Sequence, residues 1–370
     1  MAETMVVEGD DTVGITGTVM RRAEDKGSQG TRKSHAVLPP AEVSEFIRNR
    51  PSDGEGLKQL LFHLGFALAA AWCVKRAREE GSLAGLVAAE LALGFVASFY
   101  FTGFHEMIHN TAFRTRWLNK SLAHVVGFFI FRGANWYWYF HWYHHRFTND
   151  PERDPELSGT TVDRADPTKV SGMVGRIAGY ALFLSGYPFG FERLPGIVRH
   201  ALGCPLPETW IDHPSKRSNV QREYACFVLG YAALAALAVL RPETIGAGLF
   251  YYWLLPHTLG AGHLRYYQTA EHRACRLGSF TDTNAWIVSR TTATWWLYAR
   301  LAWNMPYHSE HHAWPNVPFY LLPQLHHRVK QRAARPASGC NPSGEHGFLY
   351  MHWVLLQQVV WGTAEDEKAA

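Results

Sequence analysis

Eight histidines fall in three five-residue stretches: His105-Glu-Met-Ile-His109, His141-Trp-Tyr-His144-His145 and His308-Ser-Glu-His311-His312. On a helix, spacings of three and four residues put side chains on one face. The first stretch therefore offers two imidazoles from one stripe, and each of the others offers three. The chain holds 20 His in 370 residues, and scattered placement at that frequency does not produce two HxxHH patterns and one HxxxH. Imidazole binds zinc, copper, iron and nickel. Eight imidazoles exceed what one ion can take. A structural zinc site closes with four ligands and usually includes Cys, and no Cys lies near these stretches. Two ions, each with several His ligands and an open position, fit the count. Two adjacent irons can bind O2 and deliver the two electrons needed to attack an unactivated C–H bond.

The first stretch also spells His-Glu-x-x-His, the pattern in which Glu106 would be the general base of a zinc metalloprotease. Such a site takes one further ligand and leaves five of these histidines without a role. Glu106 reads instead as a partner that orients a ligand imidazole. The isolated His63, His124, His200 and His213 read as ordinary hydrogen-bonded residues. A non-enzymatic metal carrier would repeat polar residues through its spans, and the apolar spans of this chain hold few.

Bringing the three stretches together constrains the elements that carry them. Hydrophobic residues make up 47% of the chain, charged residues 18% and aromatics 14%. This excludes a largely disordered chain, a collagen and a coiled coil. A net charge of +4 gives no reason to expect a nucleic-acid partner. Five Cys with no CxxC spacing argue against a disulfide framework or zinc ribbon and for reduced thiols. Residues 1–56 are expected to be mostly a disordered tail, without the layout of a signal peptide. Residues 57–335 form the membrane domain and 336–370 a C-terminal segment.

Apolar blocks occupy residues 60–74, 83–104, 224–240 and 245–264. The second is long enough to cross ~30 Å of hydrocarbon, and the last two read as a hairpin. Trp/Tyr clusters at 136–143 and 251–253 suit a membrane interface better than a soluble core. Residues 122–131 and 177–191 are too short or too broken to cross and should lie in the interface or re-enter. Four crossings then place the histidine stretches and both termini on one side. Lys75, Arg76 and Arg78 fall on the far side in this arrangement, so the positive-inside rule supports it only weakly.

These residues resemble the membrane fatty-acid desaturase and hydroxylase superfamily. The resemblance runs over about residues 60–329 and rests on the three histidine boxes, with a short gap between the first two and a long gap before the third. Arg146-Phe-Thr-Asn-Asp-Pro-Glu-Arg-Asp-Pro155 is similar to the segment that trails the second box. The Pro-rich stretch from Asn304 to Pro318 is similar to the bacterial-type third box. The form of the first box leans toward the alkane hydroxylases, the second toward the desaturases.

The resemblance implies an all-α integral membrane helical bundle, with about four transmembrane helices in two hairpins, interfacial helices and a cytosolic histidine-rich cap. It implies two non-haem iron ions, O2 as co-substrate, and a ninth His ligand beyond the boxes. His257, His263 and His272 are candidates. His272 is preferred, because Glu271-His272 is similar to the Glu-His element of the alkane hydroxylases. The implied activity is desaturation of an acyl chain of a fatty acid or lipid, with hydroxylation of an acyl or hydrocarbon chain as the alternative and a membrane zinc metalloprotease as a remote one. The sequence has no His-Pro-Gly-Gly haem motif, no CxxC pair and no Gly-rich dinucleotide fingerprint. Electrons are therefore expected from a separate ferredoxin, rubredoxin or cytochrome b5-type protein. Arg146, Arg273, Arg276, Arg328, Lys330 and Arg332 are basic residues that could dock such a donor or lipid headgroups. The implied localisation is a multi-pass membrane protein with the active site and both termini in the cytosol.

Overall fold

The computed structural model describes residues 38–48, 51–157, 172–204, 208–277, 285–332 and 346–361. Residues 1–37 of the expected tail lie outside them. The described chain is helical, and among its residues only isolated β-bridges, Thr291 to Tyr307 and Ala293 to Gly347, add extended pairing.

Helix α1 (Pro40–Arg48) falls within the stretch expected to be a tail. It buries Val43, which joins Leu38, Leu322, Leu325 and Val329 in one apolar cluster. Helix α2 (Asp53–Glu79) starts where the Ser52 hydroxyl accepts from the amide of Glu55. Asp53 and Glu55 in its first turn and Arg76 and Arg78 in its last complement the helix dipole. Gly81 (φ 65°) reverses the chain, and Ser82 caps α3 (Leu83–Ser98) through the amide of Gly85. Helix α4 (Tyr100–Ile108) continues α3 almost without a break.

Next come α5 (Arg116–Phe129) and α6 (Ala134–Phe147), then α7 (Met173–Ser185) and α8 (Tyr187–Ala201). The long α9 (Pro214–Leu240) leads through short pieces, including α10 (Ala247–Leu249), into α11 (Leu255–His272). The short α12 (Ala285–Val288), α13 (Trp296–Leu301) and α14 (His308–Ala313) precede α15 (Leu322–Arg332) and α16 (Phe348–Trp361).

Among the described residues, three helices are long and apolar enough to cross a membrane: Asp53–Glu79, Leu83–Ile108 and Pro214–Leu240. Their outward faces carry Leu61, Leu68 and Trp72, Leu83 and Val87, and Leu229 and Val239, all exposed. An apolar band of that extent suits lipid rather than water. The expected fourth span at 245–264 is helical but interrupted. Wide π turns at Pro242–Gly246 and Phe250–Leu254 flank α10. Pro256 contributes to this, because its ring excludes the usual hydrogen bond to the preceding turn and a π turn takes up the mismatch. Helix α5 has 14 residues and α7 has 13, about 20 Å each at 1.5 Å per residue, short of the ~30 Å of hydrocarbon.

Helices α3 and α11 cross at Gly94 and Gly260. A Cβ on Gly94 would meet the Pro256 carbonyl oxygen at 2.8 Å. Glycine at this crossing lets two backbones touch, as small residues do between membrane helices. Helix α16 lies on α7 and α11. Its last carbonyls, Val359 and Val360, accept from the Arg176 guanidinium. The expectation of reduced thiols holds for Cys73, Cys204 and Cys226, whereas Cys275 is disulfide-bonded.

Candidate metal centre

Four helix ends converge on one buried spot. Helix α4 supplies His105 and ends at His109. Helix α6 supplies His141, His144 and His145, α14 supplies His308, His311 and His312, and α11 ends on His272. The nine rings form two adjoining groups. His105, His109, His141, His145 and His311 offer ligand atoms within 4.8 Å of one another. His144, His272 and His312 do the same, and His308 joins them with its Nε2 2.8 Å from that of His272.

Helical geometry explains how the boxes divide. At 100° per residue, position i+4 leads i by about 40° and i+3 lags it by about 60°. In the second box the i, i+4 pair His141/His145 faces the five-ring group and His144 faces the other. In the third box the pair His308/His312 faces the second group and His311 faces the first. Each HxxHH box thus serves both groups.

The Nε2 atoms crowd together. That of His141 lies 2.8 Å from His109 Nε2 and 2.9 Å from His145 Nε2, which is itself 3.2 Å from His311 Nε2. His144 Nε2 is 3.3 Å from His272 Nε2. An imidazole nitrogen has one in-plane site, either a proton or a lone pair. His141 Nε2 cannot bond to two neighbours at once, so hydrogen bonding alone does not account for the cluster. Nitrogens about 2.0–2.1 Å from a shared metal lie about 3.0–3.4 Å apart, close to the spacings observed. Buried ring nitrogens without partners, His105 Nε2 and His312 Nε2 among them, fit the same account. The residues present therefore fit a pair of metal ions.

The opposite ring nitrogens fix the tautomers. His144 Nδ1 donates to Asp154 Oδ1 at 2.9 Å and His272 Nδ1 to the Val288 carbonyl at 2.9 Å. Because those oxygens only accept, the proton sits on Nδ1 and the Nε2 lone pair faces inward. His312 Nδ1 donates to Thr148 Oγ1 and His308 Nδ1 to Met305 Sδ, each at 3.3 Å. Burial and the neighbouring rings hold His109, His141, His145, His308 and His312 well below the usual imidazole range. Burial likewise pushes His272 to about 4 and His311 to about 3. Neutral rings are the form that binds metal. Burial also disfavours a charge on His144, but Asp154 and Glu156 outweigh it and hold the ring up at about 9, so a metal binding at its Nε2 displaces a proton there while the Nδ1 proton stays hydrogen-bonded to Asp154.

Glu106 is buried beside His105. Its Oε2 accepts from Thr111 Oγ1 at 2.5 Å, and its Oε1 stands 3.5 Å from His105 Nδ1. The other expected ligand candidates are occupied elsewhere. His263 sits between Ser98 Oγ (2.7 Å) and Tyr298 OH (3.1 Å), and His257 packs on the Phe131 ring. His63, His124, His200 and His213 have hydrogen-bond or ion-pair partners outside the cluster. Sequence spacing assigns no role to Asp154, in the segment after the second box, or to Glu310 inside the third box. Glu310 is buried against Thr291 and His326, a counterpart to Glu106 and Thr111.

A cavity of about 10 Å³ touches both groups, through His105 and His141 on one side and His144, His272 and His308 on the other. Its lining also includes the apolar Phe101, Tyr137 and Met305 and the polar Glu156, Gln268 and Glu271.

No curated protein matches the sequence. The family model described as fatty acid desaturase matches residues 81–343, well over half of the 370 residues. That match contains all three boxes, His272 and the helices that bring them together, and the chain belongs to the fatty acid desaturase family.

Proposed function

We propose that the protein is a membrane di-iron oxidoreductase that desaturates an acyl chain of a fatty acid or lipid, using O2 and electrons from a separate donor protein. The observation that carries this reading is the pair of adjoining histidine groups that share one cavity. His105, His109, His141, His145 and His311 would hold one ion, and His144, His272, His308 and His312 the other. When bound, two irons supply O2 activation and the oxidising power to take hydrogen from an unactivated carbon.

The chain's own residues do the rest. Asp154 and the Val288 carbonyl keep His144 and His272 in the ligand tautomer. Phe101, Tyr137 and Met305 give the cavity beside both groups an apolar surface. Burial of the rings excludes bulk water from the reacting carbon. The overall change converts CH2–CH2, O2, two electrons and two protons into CH=CH and two waters. Hydroxylation is the second reading, and the polar lining residues Glu156, Gln268 and Glu271 favour it by offering an alcohol product hydrogen-bond partners.

In the proposed topology the interrupted run before α11 is the fourth crossing. The histidine groups and both termini are cytosolic, and Arg146, Arg273, Arg276, Arg328, Lys330 and Arg332 face the donor or lipid headgroups. Expression in a host of known lipid composition tests the activity. New unsaturated lipids in the mass spectrum support desaturation, new hydroxylated species support the second reading, and an unchanged profile beside an iron-loaded protein contradicts both. A zinc metalloprotease would instead carry one zinc per chain and cleave peptides.

A further inference from the structure

We infer that Glu223, on α9, is a positioning residue that sets the second histidine box in place for both metal ions. Helix α6 has no side-chain cap of its own at Gly133. Its first amides, left over by the helix geometry, need acceptors. Glu223 provides them from 88 residues away in sequence: Oε1 accepts from Ala134 N at 2.7 Å and Oε2 from Asn135 N at 2.9 Å. Next to it the Tyr224 hydroxyl accepts from Gly133 N at 3.1 Å. The carboxylate is buried and its negative charge suits the positive end of α6. His124 on α5 completes the arrangement, with Nδ1 2.7 Å from Glu223 Oε1.

The fit is close enough to constrain Gly133. Its φ of −62° suits any residue, yet a Cβ there would meet Glu223 Oε2 at 2.7 Å and the Tyr224 ring at 2.9 Å. Glycine is required by the approach of α9, not by backbone conformation. Helix α6 then runs two turns, about 10 Å, from the cap to His141. Both metal groups draw on this one rod, the first through His141 and His145 and the second through His144. Helix α9 supplies no histidine to either group and does not line the cavity. A shift of the N-terminus of α6 would therefore move ligands of both ions together. Other ties at this turn act differently. Tyr231 OH donates to the Phe128 carbonyl and Trp253 Nε1 to the Phe129 carbonyl, so they secure the end of α5 and leave the amides of α6 alone.

The inference rests on the metal-ligand reading of the boxes. The test is anaerobic Fe(II) titration of the full chain, purified in detergent and first stripped with a chelator. Wild type, Glu223→Gln, Glu223→Asp, Gly133→Ala and Tyr231→Phe are compared, with thermal unfolding measured in parallel. Glu223→Gln keeps the shape but turns an NH2 toward a backbone donor, and it should weaken both ions by about 10–100-fold, as the loss of outer support does. Glu223→Asp should recover part of that loss because it keeps both acceptor oxygens. Gly133→Ala should weaken both ions in the same direction, and it decides the matter if Glu223→Gln does not fold. Tyr231→Phe should lower the unfolding temperature and leave both affinities at the wild-type level. Wild-type affinities in Glu223→Gln or in a folded Gly133→Ala, loss confined to one ion, or an equal loss in Tyr231→Phe would overturn the inference. A wild-type protein that binds no metal would overturn the metal reading itself.

Discussion

The two histidine groups are held by different means. In the second group every ring has an outer partner: Asp154 for His144, the Val288 carbonyl for His272, Met305 for His308 and Thr148 for His312. In the first group the Nδ1 atoms of His105, His109 and His311 are buried with no hydrogen-bond partner. Packing holds those rings instead. His105 lies 4.4 Å from the His141 ring and 4.6 Å from that of His311, and Trp142 stands 5.0 Å from His109. The contrast teaches that every ring of one site is oriented by an outer hydrogen bond, whereas in the other His141 has one, to Tyr137 OH at 3.3 Å, and His105, His109 and His311 rely on mutual contact. Substituting the outer hydrogen-bond partner of a ring should therefore matter more at the second site than at the first.

The largest effect expected is at the ligands. His311→Ala in the first group and His144→Ala in the second should each abolish activity and lower the iron content, because both ions are needed at one cavity. An active His311→Ala enzyme would break the assignment. Outer partners come next. Asp154→Asn leaves one acceptor oxygen where the carboxylate serves both His144 Nδ1 and the Asn149 amide, and it removes the charge that holds the proton on Nδ1. It should weaken the second ion by about 10–100-fold while the first stays bound, as read by iron titration. Glu106→Gln keeps an oxygen for Thr111, so it should retain both irons and only slow turnover. If Glu106→Gln loses the first ion while Asp154→Asn loses nothing, the contrast is reversed.

Smaller effects lie outside both groups. His263→Ala should leave iron bound and cost about 1–3 kcal/mol by stranding the partners of a buried polar group, measured by thermal unfolding. The smallest concerns pH. The hydrogen bond from His124 to Glu223 raises the His124 pKa above 6.5, against the opposing effects of burial and Lys120. Its contribution to stability is then complete below 6.5 and lost as pH rises through the raised folded value. His124→Gln should flatten the unfolding temperature over that window. An unchanged pH profile would show that the pair contributes nothing.

The eight box histidines are legible in sequence because their spacing on helices is a local, covalent property. His272 is legible through the similarity of Glu271-His272 to the Glu-His element of the alkane hydroxylases, a few residues beyond the last apolar block. The division of each HxxHH box between two groups follows from 100° per residue, but only once the neighbouring helices are placed. Asp154, Glu310 and Glu223 are a different matter. Each acts across a tertiary contact: Asp154 after a turn, Glu310 through Thr291 and His326, Glu223 across 88 residues. A carboxylate in sequence carries no sign of which amide or ring it will meet. Hydropathy finds the long apolar helix at Pro214–Leu240, whereas the run before α11 loses its regularity around Pro256 and its π turns. Apolar content alone does not show that a helix is interrupted. The helix Pro40–Arg48 escapes notice because only Val43 of its residues is fully buried.

The central claim is that two metal ions sit side by side, each in its own histidine group. Counting metal in the purified chain tests it most directly, with His272→Ala beside wild type. Wild type should hold two irons per chain. His272→Ala should hold about one, because it removes a ligand from the second group and none from the first. One zinc per chain, no stoichiometric metal, or two irons retained in an active His272→Ala would contradict it.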